Sequence, residues 1–267
     1  MKTFVAADGA PLSFKEWAGG APPVVLVHGW QSTGATWDAM ARFLSPRHRT
    51  LALDLRGCGA SADAQGPYTV EQASDDVAEF LCQVVSRRAV VAGHSMGGAI
   101  ALRLAVDHRE LLAGIVLIAP VPPSGLALPP KADEIFRSTA GNRTNFARWL
   151  KRQSLAPLPE EQFSALVEAA ATIRPEVAIE SYESWTHLDF ADAARGITTP
   201  TLVLPGEADS PNLTPERLTE TVLSLVRNSQ MTVIERCGHY VPLEQPEAAA
   251  AAIHRFAREL PYDQLPG

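Results

Sequence analysis

Unbroken apolar runs of strand length alternate with amphipathic helical patterns over most of this chain. That alternation constrains its fold more than any other feature. The runs PPVVLVHG (22–29), RTLALDL (49–55), RAVVAGHS (88–95), LAGIVLIAP (112–120) and TPTLVLPG (199–206) read as strands, followed by MTVIER (231–236). Continuous apolar runs of this kind mark parallel strands buried on both faces. Helical patterns lie between them, near 35–44, 69–85, 97–106 and 214–226, and a last one near 245–260 closes the chain. Thr69 is placed to cap the second of these, with Glu71 and Gln72 in its first turn. Strands alternating with helices require right-handed crossovers and a mostly parallel α/β sheet with helices on both faces. Before the first run, FVAADGAPLSFKEW reads as a hairpin turning at Asp8-Gly9.

The alternation is interrupted once. Prolines cluster at 120, 122, 123, 129 and 130, and the residues after them, to 187, carry only helical patterns. An insert of this size far exceeds the dozen or so residues that a crossover needs. It also follows the C-terminal end of a strand, the edge where open α/β sheets bind ligands. The expected organisation is a core of residues 1–120 and 188–267, with 121–187 as a helical cap, or lid.

Gly93-His94-Ser95-Met96-Gly97 matches G-x-S-x-G. At ordinary composition a chain this long has roughly a one in ten chance of such a match, so context must decide. Here a strand precedes it and a helical pattern follows at once, as required for a serine lifted out of the backbone on a tight turn. A serine hydroxyl needs a base, and that base an orienting acid. Among seven histidines, His239 is best placed, behind Gly238 and between a strand and the closing helix. His28 ends a strand and is expected to shape a turn, and His94 to face away from Ser95. His48, His108, His187 and His254 read as surface or lid residues. The acid is expected between serine and histidine in chain order, where LVLPGEADSP offers Asp209 as the partner and Glu207 as a turn residue. Two backbone N–H groups should receive the developing oxyanion: that of Met96, after the serine, and that of Trp30, in the loop HGWQSTG.

The charge balance excludes other classes. A net charge of −7 argues against a nucleic-acid binder. No apolar run is long enough to span a membrane, and the N-terminus lacks the apolar region of a signal peptide. Three widely spaced cysteines suit a reducing compartment, so a cytoplasmic location is expected, and they form no metal pattern. Neither a cofactor nor a metal is expected.

With HGW, LDLRGCGAS, AGHSMGGAIAL, PTLVLPGEAD and CGHYVPLEQPE in this order, the chain resembles the α/β-hydrolase fold superfamily over nearly its whole length. The resemblance implies an eight-stranded, mostly parallel sheet with a helical cap after strand six. It implies Ser95 as nucleophile, Asp209 as acid and His239 as base, with the Trp30 and Met96 N–H groups as oxyanion donors. Serine at 95 disfavours the relatives with an aspartate nucleophile. Cofactor-free dioxygenases of this fold share HGW, but they carry a histidine where this chain has Ser32 and place the acid after strand six, where it has none. The chain is most similar to lidded serine esterases, lactonases and cofactor-free haloperoxidases or perhydrolases. Carbon–carbon bond hydrolases also resemble it, though their elbow more often has Asn at the position of His94. A ligand-sensing receptor or scaffold is the alternative outside enzymes.

The cap contributes Phe136, Phe146, Trp149, Phe163, Tyr182 and Trp185. Packing accounts for aromatics at helical spacing, yet a cap rich in them suits a small-molecule substrate with an apolar or aromatic acyl group. Trp30, Trp149 and Trp185 are the expected substrate-binding residues. Arg137, Arg143, Arg148, Lys151 and Arg152 make the first cap helices basic. They read as a solvated face or, functionally, as an attraction for a substrate carboxylate.

Overall fold

The computed structural model describes residues 1–260, so residues 261–267 of the expected core lie outside the described residues. The hairpin forms from β1 (Lys2–Val5) and β2 (Pro11–Trp17), antiparallel, with Gly9 at a φ of 89° in its turn. Next come β3 (Val24–Val27), α1 (Asp38–Leu44), β4 (Thr50–Leu53) and α2 (Val70–Phe80). Then follow β5 (Ala89–His94), α3 (Met96–Asp107) and β6 (Leu112–Ile118). The helical insert is α4 (Pro130–Thr139), α5 (Arg143–Leu150), α6 (Glu160–Thr172), α7 (Pro175–Thr186) and the short α8 (Ala191–Ala194). The chain returns through β7 (Thr201–Leu204), α9 (Pro215–Leu218), β8 (Ser229–Met231), α10 (Val241–Glu244) and α11 (Pro246–Arg258).

The eight strands form one sheet in the order β1-β2-β4-β3-β5-β6-β7-β8. β1 and β2 run antiparallel to their neighbours, and every pairing from β4 to β8 is parallel. The fold is thus a mostly parallel sheet with a helical cap inserted after strand six, as the alternation predicts.

The continuous apolar runs have a direct physical reason. Along β3, Val25 and Val27 join a core with Val77, Phe80 and Ile100 on one face of the sheet. Val24 and Leu26 join a second core with Trp37, Met40 and Phe256 on the other face. Period-two alternation therefore separates the two cores rather than core from solvent. Each such side chain, fully buried, contributes about 1.5–3 kcal/mol. Thr69 caps α2 as expected, its hydroxyl accepting from the Gln72 N–H.

Two expectations are corrected. The last strand covers Ser229–Met231, not 231–236. β7 is only four residues long and ends at Leu204, because Pro205 after it has no N–H to extend the ladder. Beyond Met231 the pairing thins to Thr232 N–H and Ile234 N–H donating to the carbonyls of Val203 and Pro205. His48 and His254 are buried, not on the surface. Their rings stack at 4.9 Å where the loop before β4 meets α11. His48 Nδ1 donates to the Pro22 carbonyl and His254 Nε2 to that of Phe43, each at 2.9 Å. The polar stretch SPRHR hides this burial because α11, some two hundred residues later, supplies the cover.

Burial holds the pKa of His48 and of His254 below the usual histidine value. The same holds for His28, and burial pulls His94 down to about 3. The unfolded chain therefore binds more protons than the folded one below about pH 6.5, so stability rises with pH there and is lost on acidification. His239, whose pKa is raised, contributes with the opposite sign. The expected net outcome is a melting temperature that drops between pH 7.5 and pH 5. Glutamine at both 48 and 254 keeps N–H donors for the two carbonyls and should flatten that slope. A wild-type melting temperature constant across the window would contradict it.

Candidate active site

β5 ends at His94 and α3 begins at Met96, so Ser95 alone makes the corner. Its backbone stands at φ 55° and ψ −116°, a strained conformation for a residue with a side chain. Neighbours hold it there. Ser95 N–H donates to the Ile118 carbonyl, and its own carbonyl accepts from Gly98 and Val121. The corner requires glycine on both sides. A Cβ at Gly93 would lie 1.9 Å from the Gly97 carbonyl oxygen, and one at Gly97 would lie 2.3 Å from that of Val27.

The loop after β7 carries Asp209 and the loop before α10 carries His239. The His239 Nδ1 lies 3.1 and 3.0 Å from the two Asp209 carboxylate oxygens. The Asp209 side chain is fully shielded from solvent. Burial of the His239 ring opposes its protonation. The charge and hydrogen bonds of Asp209, with the field of Glu244, outweigh that and raise its pKa. Glu207 bonds the Arg236 N–H, the turn role expected of it.

Three supports of this site were missed or only partly read from sequence. Glu244 accepts from the N–H groups of Gly238, Tyr240 and Leu155, so one carboxylate ties the His239 loop to the cap. Its position four residues after Tyr240 was the available signal. His94 Nε2 donates to the His239 carbonyl at 2.9 Å. Burial and the neighbouring His239 keep its ring neutral. His28, the expected turn-shaping residue, donates from Nδ1 to the Gly29 carbonyl at 2.8 Å and accepts the Leu55 N–H at Nε2. It thereby orients the peptide whose N–H belongs to Trp30. Met96 opens α3, where no preceding helical turn supplies an acceptor for its N–H.

Ser95, His94 and His239 line one cavity of about 170 Å³. Of the cap aromatics, Phe136, Trp149 and Trp185 line it together with Trp30, whereas Phe146 and Tyr182 are packed in the interior. The Trp30 ring sits between 5.6 and 6.1 Å from those of Phe136, Trp149, Tyr182 and Trp185. Leu126, Leu128 and Leu213 add apolar wall, and Ser32, Gln153, Ser210 and Asn212 add polar groups. None of Arg137, Arg143, Arg148, Lys151 or Arg152 lines the cavity, so of the two readings offered for them the solvated face is the one that fits. Arg137 pairs with Asp133 and Glu183, Arg143 pairs with Glu168, and Lys151 lies over the Phe163 ring. Among the described residues, no cluster of three or more His, Cys, Asp or Glu side chains is placed to hold a metal.

The model of the alpha/beta hydrolase family matches residues 24–252. A non-heme haloperoxidase of Rhodococcus erythropolis is 28% identical over 257 residues, covering 90% of this chain and 93% of its own. A bifunctional esterase/perhydrolase of Acinetobacter calcoaceticus is 25% identical, covering 94% and 97%. Among solved structures, a thermophilic esterase from Thermogutta terrifontis superposes with a TM-score of 0.78 at 26% identity, covering 97% of this chain and 99% of its own.

The corner around Ser95 leaves no room for a methyl group at Gly93. Gly93→Ala should destabilise the protein by about 3 kcal/mol or more in urea unfolding, since overpacking here meets backbone rather than a movable side chain. A loss below about 1 kcal/mol would show that the corner can open.

Proposed function

Because the chain belongs to the alpha/beta hydrolase family, and is an enzyme of that fold, we propose that it is a serine hydrolase cleaving a small ester, lactone or related carbonyl compound through an acyl-enzyme. One observation carries this reading: a serine on a strained strand-to-helix corner shares a cavity with a histidine held by a buried carboxylate.

In the proposed reaction, Ser95 Oγ attacks the carbonyl carbon while His239 Nε2 takes its proton. Asp209 holds the His239 ring in the tautomer with the proton on Nδ1 and stabilises the imidazolium that forms. The Trp30 and Met96 N–H groups receive the oxyanion. As the tetrahedral intermediate collapses, His239 returns the proton to the leaving oxygen, and the acyl group stays on Ser95. Water, deprotonated by His239, then releases the acid and restores the serine. A cavity of about 170 Å³ with aromatic walls supports a short apolar or aromatic acyl group.

A second reading uses the same site, with hydrogen peroxide as acyl acceptor and a peracid as product. The similarity to a haloperoxidase and to an esterase/perhydrolase favours it. Carbon–carbon bond hydrolysis would use the same nucleophile. The free cysteines, Cys82 among them on the surface, support a cytoplasmic location. No helix among the described residues is long and apolar enough to cross a membrane.

Labelling with a fluorophosphonate and turnover of nitrophenyl esters test the nucleophile. Ser95→Ala should abolish labelling and cut kcat by about 10⁴-fold or more, and labelling that survives would refute the assignment. Peracid formation from acetate and peroxide tests the second reading. Asp209→Asn should lower kcat by about 10³- to 10⁴-fold without unfolding the protein. A near-normal rate would mean another carboxylate serves.

The pH profile has a defined sign. Attack needs neutral His239, so kcat/KM should rise with pH through an apparent pKa above 6.5, because Asp209 raises it. In Asp209→Asn the residual activity should titrate lower, since burial then acts without the carboxylate. A wild-type limb well below 6.5 would contradict the role given to Asp209.

A further inference from the structure

The loop that carries Trp30 is tied to the cap by two side chains. Trp30 Nε1–H donates to the Ala178 carbonyl on α7, and Gln31 Nε2–H donates to Thr139 Oγ1 at the end of α4, both at 2.7 Å. On the core side, His28 holds the Gly29 carbonyl. The Gly29–Trp30 peptide therefore sits between a core anchor and two cap anchors.

Gln31 tolerates three unfavourable features at this point. Its φ is 48°, in the left-handed region that residues with a Cβ avoid. Its side chain is buried, and Oε1 has no hydrogen-bond partner. The Thr139 hydroxyl selects which end of the amide faces it. Thr139 Oγ1 spends its own proton on the Phe136 carbonyl at 2.7 Å, so it can only accept from Gln31. Turning the amide over would set oxygen against oxygen. Backbone strain of this kind persists only where the surrounding structure over-determines it, and it clusters at active sites.

We propose that Gln31 is a positioning residue whose bond to Thr139 aims the Trp30 N–H at the reacting carbonyl oxygen, so that seating of the cap helix α4 is a condition for transition-state stabilisation. The inference rests on the reading of Trp30 N–H as an oxyanion donor. The cap braces the other half of the site as well, where the Gln153 carbonyl accepts the His239 N–H at 2.8 Å. The cap is then a clasp on both the donor and the base, and opening it releases both.

Thr139→Val removes the acceptor and keeps the side-chain shape, Thr139→Ser restores a hydroxyl, and Gln31→Met removes the donor from the other side. Steady-state kinetics on a nitrophenyl ester, normalised to titrated active sites, read the outcome. Thr139→Val and Gln31→Met should each lower kcat about 10- to 100-fold with KM within about twofold. Thr139→Ser should remain within about threefold of wild type. The double variant should lose no more than either single one, because both break the same bond. Affinity for phenylboronic acid, which forms a tetrahedral adduct on the serine, should fall in step with kcat/KM. Unchanged kcat, a rise in KM alone, additive losses, or losses that vanish on active-site normalisation would each overturn the proposal. Should Thr139→Val fail to fold, Gln31→Met carries the same comparison. Ser95→Ala, run alongside, separates the two levels. Retained turnover there would overturn the active-site reading and this inference with it. An inactive Ser95→Ala beside an unimpaired Thr139→Val would keep the site and overturn the coupling alone.

Discussion

The close crossing of β3, β5 and α3 is the constraint on which the rest depends. Gly93, Gly97 and the Val27 carbonyl approach one another so closely that no Cβ fits at either glycine. Only with that clearance can the chain turn from strand to helix in one residue, and only then does Ser95 stand at its strained φ. The same corner organises its surroundings. Its carbonyl accepts from Val121, so the first residues after β6 leave the sheet already tied to the serine. The cap is thus rooted at the corner it covers.

Around that corner the protein sets two buried histidines to opposite electrostatic tasks. His94 and His239 pack with ring centroids 4.9 Å apart, and both are largely shielded from water. His94 faces a backbone carbonyl, burial dominates, and its pKa falls to about 3. His239 faces the Asp209 carboxylate, whose charge overcomes burial and raises its pKa. A neutral neighbour spares His239 a competing positive charge and fixes its backbone. Equal burial with unlike partners separates the two titrations.

The cap supplies apolar wall and support rather than charge. Phe136, Trp149 and Trp185 close the cavity over Ser95. The basic side chains of the same helices turn to acidic partners or to solvent-facing contacts, as Arg137 does with Asp133 and Glu183. An uncharged cavity wall strengthens the hydrogen bonds and ion pair that remain inside it.

Much of this was legible in the sequence because it depends on local spacing. Strands buried on both faces must be continuously apolar, a serine corner must carry flanking glycines, and Asp209 and His239 follow their strands in the expected order. Those features follow from backbone sterics and period, which a linear chain displays. What only the tertiary structure decided are contacts between segments far apart in the chain. The stacked burial of His48 against His254 and the bond from His94 to the His239 carbonyl are of this kind. So are the ties from Gln31 to Thr139 and from Trp30 to Ala178, which span more than a hundred residues. Sequence patterns report what each segment must do with its own backbone and its own apolar face. They carry no record of which distant partner will satisfy a polar side chain, because packing of the cap against the sheet makes that choice.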